Sequence, residues 1–178
     1  MSIITKRGDD GYTDAMYGGR LSKNSSEVIA CGDIDELNTT LGLVRVSGIT
    51  SQLEQIIDTV QQHLVSLMGL VSVPSEKRQK YLTDGYPSIT AEQVEWLEKT
   101  AGHIDISFTD WARPGAAGSV PAAWLDQART ICRRAERSAW AMGEELPLEA
   151  CHFLNRLSDL LWLLARQLEQ ADQDECNS

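Results

Sequence analysis

Apolar residues recur three and four positions apart through most of this chain, a spacing that predicts helices. A first helix carries Val28, Ile34, Leu37, Leu41 and Val44 on one side, with Asn24 and Glu27 as the capping pair at its start. Ser51 and Glu54 are expected to open a second, which turns Leu53, Ile56, Ile57, Val60, Leu64, Leu67 and Met68 inward and stops at Pro74. Residues 74–88 are polar, contain Gly85 and Pro87, and are expected to connect. Thr90 and Gln93 then form a capping box ahead of a shorter helix with Val94, Leu97 and Ala101.

"RPGAAGSVP", 113–121, is a loop by its glycines and prolines, with Ser119 as N-cap and Pro121 in the first turn of the next helix. That helix is expected to end near Gly143, and Pro147 opens the last one. In the last, Phe153, Leu154, Leu157, Leu160, Leu161, Leu164 and Leu168 make a continuous stripe. The expectation is an all-α chain of five helices with no strand of comparable length, folded up and down as a bundle. The first 24 or so residues lack periodicity and read as an ordered loop or a disordered arm. We therefore expect one domain over 1–178: an arm to 24, a bundle over 25–171 and a polar tail over 172–178.

Composition narrows the classes of partner. The formal net charge is −10 over 178 residues, which argues against nucleic acid or an anionic membrane surface as a general partner. No apolar run reaches the roughly 18 residues of a membrane span, and "MSIITKRGDD" lacks the apolar core of a secretory signal, so the cytoplasm is expected. The four cysteines show no C-x-x-C spacing. Cys31, Cys132 and Cys151 are expected to pack as small hydrophobes, and Cys176 to lie exposed in the tail. His63, among apolar neighbours, reads as structural.

Against that acidic background "ARTICRRAER", 128–137, holds four arginines. Arg129, Arg133 and Arg137 line one helical stripe spanning roughly 12 Å, about the reach of a triphosphate, with Arg134 beside it. Guanidinium binds phosphate oxygens two at a time, although a solvated stripe paired with Glu136 and other acids fits the same pattern. The arm, "TKRGDDGYTDAMYGGRLSK", combines Lys6, Arg7, Arg20 and Lys23 with four glycines, which suits an anion nest or a solvated terminus. It is not a P-loop. In "CGDIDELN", Asp35 borders the core stripe and needs a partner, unless it is a plain surface acid. On the last helix Asn155, Ser158 and Asp159 fall beside the leucines. Together these pieces suggest a nucleoside polyphosphate.

The same motifs resemble the PduO-type ATP:cob(I)alamin adenosyltransferases. The family's T-[RK]-T-G-D-x-G-x-[TS] stands here as "TKRGDDGYT", its glycine-basic region as "GGRLSK", and its V-D-E-L-N helix motif as "IDELN". "ARTICRRAER" and "LNRLSDLLWLLAR" match its two C-terminal signatures, and the likeness runs over almost the whole chain. The resemblance implies a ferritin-like helical bundle that assembles as a homotrimer, with ATP, Mg²⁺ and cobalamin meeting at subunit interfaces. By that likeness Thr5, Lys6, Arg7, Gly8, Thr13, Asp14 and Lys23 wrap the phosphates. Arg133, Arg134, Glu136 and Arg137 complete the site, Asn155 holds the nucleoside, and Asp35 pairs with Arg133 of a neighbouring subunit. Mg²⁺ is held mainly by the phosphates rather than by protein side chains.

Reduced cobalt would attack C5′ of ATP, giving adenosylcobalamin and triphosphate, so no protein nucleophile is implied. A reductase and an adenosylcobalamin-dependent enzyme are the implied partners. Trp111 would displace the lower axial ligand of the corrinoid. Arg7 replaces the family's usual Thr, Trp111 its Phe, Pro114-Gly115-Ala116 its P-G-G, and Asp126 a common His. Two other readings fit the residues: a relative that binds ATP and delivers or senses corrinoid without transfer, and a helical assembly protein whose arginines make interfacial ion pairs.

Overall fold

The computed structural model describes residues 4–106, 112–143 and 146–177, with side chains as far as 172. Six helices stand among them: α1 (Ser26–Arg45), α2 (Ser51–Val71), α3 (Ser75–Thr83), α4 (Ala91–Gly102), α5 (Val120–Trp140) and α6 (Leu148–Asn177). Two short strands, β1 (Tyr12–Asp14) and β2 (Arg20–Ser22), form an antiparallel hairpin in the arm, pairing Thr13 with Leu21. The bundle is helical as expected, but the polar stretch after Pro74 is not simply a connection. It contains α3, whose buried side chains are only Arg78 and Tyr81, so it shows no apolar stripe. The backbone of α6 also continues helical through the residues expected as a tail.

Two caps sit one residue from their expected places. Ser25, not Asn24, caps α1 by accepting from the Val28 N–H at 3.4 Å. Thr50, not Ser51, caps α2 by accepting from Leu53 N–H at 3.3 Å. The box of Thr90 and Gln93 opens α4, and Ser119 caps α5 with Pro121 in its first turn, both as the sequence predicts.

The core lies where α5 packs against both α1 and α6, with α2 beyond α1 and α4 beyond α6. Its largest side chains include Phe153, Leu154, Leu157, Leu125, Ile34 and Leu37, all buried. Each such side chain contributes about 2 kcal/mol on burial. Part of the inward face of α5 is different in kind: beside the buried Leu125 and Ile131, Ala128, Cys132, Ala135 and Ala139 are fully buried and all small. Small residues at this spacing let neighbouring helices approach closely. The Cys132 thiol donates to the Leu154 carbonyl of α6 at 3.2 Å across that contact. His63 is set edge-on between Trp96 and Phe153, and burial lowers its basicity. The missed helix α3 is fastened through Tyr81, whose hydroxyl occupies the space a side chain at Gly69 would need.

Candidate functional site

Two separate groups of polar residues are built on this frame. The first is the arm. A turn bonds Asp9 N–H to the Lys6 carbonyl and another bonds Gly11 N–H to the Gly8 carbonyl, both at 3.3 Å, with Lys6 in the left-handed region at φ 59°. This curls Thr5–Gly8 over the hairpin. Arg20 staples the curl: its guanidinium forks onto Asp10 at 2.7 and 2.8 Å and also donates to the Arg7 carbonyl. That fork holds the Asp10 carboxyl below its ordinary range. Lys23 donates to the Gly8 carbonyl at 2.7 Å, and a Cβ on Gly8 would lie 3.0 Å from the ammonium. A side chain at position 8 would therefore crowd the lysine head group. Arg7, the residue where the family usually has Thr, rests on Asp14 at 2.8 Å.

A cavity of about 500 Å³ opens between this arm and the bundle. Thr13 and Asp14 line it from the hairpin, and Val28, Cys31 and Asp35 from α1. Cys31 is only half-buried, but burial, with the charge of Asp35 adding to it, raises its thiol. Burial pushes Cys151 up to about 11 and Cys132 higher still. Burial thus favours the neutral thiol at all three.

The second group is the outer side of α5. Arg134 reaches across to α1, donating to Asp33 at 3.0 Å and to Glu36, while Ser138 also donates to Asp33. Arg133 and Arg137 are exposed, and neither forms an ion pair among the described residues. Arg137 does donate to the Arg133 carbonyl at 2.9 Å, which draws its guanidinium back along the helix. Glu136 accepts from the Asn155 amide at 3.1 Å, and Arg156 donates to the other end of that amide at 2.6 Å. This fixes which way Asn155 presents its two ends.

The arm and the α5 arginines share no hydrogen bond or ion pair within the chain, among the described residues. Asp35 shows why. It is two residues from Asp33, about 200° around the helix, so Asp33 and Glu36 face α5 while Asp35 faces the arm cavity. Asp35 has no ion-pair partner among the described residues either. The chain thus brings Arg134, Asp33 and Glu36 together, and separately Glu136 with Asn155. It brings the arm residues to one another, but leaves Asp35, Arg133 and Arg137 apart. Trp111 lies outside the described residues. No three His, Cys, Asp or Glu among those described are grouped to hold a metal ion. No described helix is long and apolar enough to cross a membrane.

The sequence profile described as Cobalamin adenosyltransferase matches residues 3–168. The chain belongs to the cobalamin adenosyltransferase family. It is similar to the Cobalamin adenosyltransferase of Cupriavidus metallidurans, with 37% identity over 95% of this chain and 89% of that one. A Corrinoid adenosyltransferase of Citrobacter freundii is 34% identical, over 98% of each chain. Among solved structures, a variant of the PduO-type ATP:corrinoid adenosyltransferase from Lactobacillus reuteri, complexed with cobalamin and ATP, superposes with a TM-score of 0.83. It is 30% identical, covering 97% of this chain and 96% of that one. The family assignment fits the cavity beside the arm and the open arginines, and it makes this chain a transferase.

Sequence reasoning passed over Asp10, Tyr17 and Asp33. Asp10 and Arg20 could have been paired from the arm's charges alone. Asp33 could not, since its partner Arg134 is 101 residues away.

Proposed function

We propose that this chain carries out its family's transfer of the 5′-deoxyadenosyl group of ATP to the cobalt of cob(I)alamin by closing one subunit's arm onto another subunit's arginines. The observation that carries this reading is the division of the site. Asp35 on one side and Arg133 and Arg137 on the other are left without ion partners in their own chain, and a second copy supplies what each lacks. Arg133 of one subunit pairs with Asp35 of the next, in a homotrimer. That contact brings Arg137 to the triphosphate cradled by Thr5, Lys6, Arg7, Gly8 and Lys23, with Thr13 and Asp14 beneath it. The Glu136 hydrogen bond holds Asn155 toward the nucleoside. Arg134 keeps α1 and α5 in register through Asp33 and Glu36, so Asp35 and Arg133 meet at the right height.

The chemistry needs no group on the protein to bond to carbon. The cobalt of the substrate gives its electron pair to C5′, the C5′–O bond breaks, and that bond's electrons leave on the triphosphate. What the chain supplies is alignment of C5′ with the incoming metal and positive charge where the leaving group gains negative charge. Asp14 accepts Arg7 when no nucleotide is bound, and phosphate oxygens would draw the same guanidinium across. Mg²⁺, carried on the phosphates, adds charge neutralisation there.

The test is spectroscopic. The protein is mixed with ATP, Mg²⁺, cobalamin and a strong reductant, and the corrinoid spectrum is followed while sedimentation reports the assembly. The expected outcome is conversion to the adenosylcobalamin spectrum by a trimer. ATP binding with no conversion would overturn the transfer, and conversion by a monomer would overturn the divided site.

A further inference from the structure

The hairpin turn of the arm contains an expensive residue. Tyr17 sits at φ 66°, followed by Gly18 at 83° and Gly19 at 85°, so three successive residues are left-handed and only the first carries a side chain. Glycine would serve this turn better on backbone grounds. The tyrosine is offset by what it touches. Its hydroxyl donates to Asp84 Oδ2 at 2.8 Å, just past the end of α3. The Lys80 ammonium lies 5.1 Å from the ring centre while also holding Asp84 at 2.8 Å. Tyr86 meets the ring edge-on at 6.5 Å and itself stacks on Tyr81 at 4.9 Å. Tyr81 is seated against Gly69 of α2. A continuous line of contacts therefore runs from the bundle core through α3 to the middle of the arm. Burial and Asp84 raise the phenol to about 12, and Lys80 and Tyr17 hold the Asp84 carboxyl low, so donor and acceptor keep their roles across the working pH range.

We infer that Tyr17 is a positioning residue for the nucleotide: it latches the arm to α3 and so fixes Lys23 and the Thr5–Gly8 curl above the cavity before ATP arrives. This rests on the arm being part of the ATP site. The polar helix α3, whose buried side chains are only Arg78 and Tyr81, then has a purpose as the dock. An arm held in place in advance loses less freedom when the nucleotide binds, so removing the latch weakens ATP binding without altering the reacting atoms.

Tyr17→Gly removes the docking groups while keeping the left-handed turn, and Tyr17→Phe, which adds no backbone freedom, controls for the looser chain. Amide hydrogen exchange over residues 8–23 should quicken in this variant while exchange in α5 and α6 stays unchanged. The KM for ATP should rise by about tenfold or more with kcat within about twofold, and Tyr17→Phe should raise KM by about fivefold, the factor for one lost hydrogen bond. Lys23→Ala serves as the reference for the arm's own part in binding. Unchanged arm exchange in Tyr17→Gly overturns the latch whatever the arm binds. Faster exchange, with KM raised in Lys23→Ala but native in Tyr17→Gly, overturns the positioning role. Native KM in both variants overturns instead the assignment of the arm to ATP.

Discussion

The two halves of α5 treat arginine differently. In the first half Asp126 is buried, accepts from Arg166 of α6 at 2.6 Å, and lies 3.4 Å from Arg129. Arg166 is equally buried, reaches Glu169 at 2.8 Å and lies over Trp162. Every charge there has an opposite charge in the same chain. In the second half Arg134 is paired, but Arg133 and Arg137 are exposed and form no ion pair among the described residues. The comparison separates two uses of one residue type. A guanidinium whose acid is supplied locally holds helices together, whereas one left without an acid is available to an anion or to another subunit.

The contrast can be broken at three places. Arg166→Ala should have the largest effect on stability, because it leaves Asp126 and Glu169 without their shared partner in the interior. A loss of about 3–5 kcal/mol is expected, read as a fall in Tm of roughly 10 °C. Calorimetry checks this; a Tm near that of the wild type would show that the network is incidental. Arg137→Ala should do the reverse, lowering turnover by about a hundredfold or more with an unchanged melting curve. Normal turnover would remove Arg137 from the triphosphate. Arg134→Ala should have the smallest effect. Its side chain is 42% exposed, so the loss of its pairs should cost about 1 kcal/mol or less, with a mild drop in turnover from slackened register. A loss as deep as that of Arg137→Ala would instead put Arg134 on the nucleotide.

Much of the bundle was legible because its helices are amphipathic. The leucine stripe of α6 and the caps at Thr90 and Ser119 read directly from spacing. What failed has physical causes. The caps at Ser25 and Thr50 slipped by one because their neighbours Asn24 and Ser51, and not they, stand three residues before a glutamate. The helix α3 was hidden because SEKRQKYLT buries an arginine and a tyrosine rather than aliphatics. At the site, the motifs named the residues but not where each side chain would stand within one chain. Asp33, Asp35 and Glu36 look alike in sequence, and only the turn of the helix sends Asp35 to the cavity and the other two to Arg134. The latch was missed for the same reason, since nothing local marks Tyr17 as a neighbour of Asp84, 67 residues on.

The stripe of Ala128, Cys132, Ala135 and Ala139 has a consequence for how such a protein diversifies. Where these four residues meet its neighbours, α5 presents only methyl- and thiol-sized groups, so added bulk at Ala135 shifts that part of the helix. Arg133 and Arg137 ride on the far surface of that helix, so their reach is set from behind, by residues that never meet a substrate. Changes in the interior can therefore alter where Arg133 and Arg137 stand without touching either guanidinium.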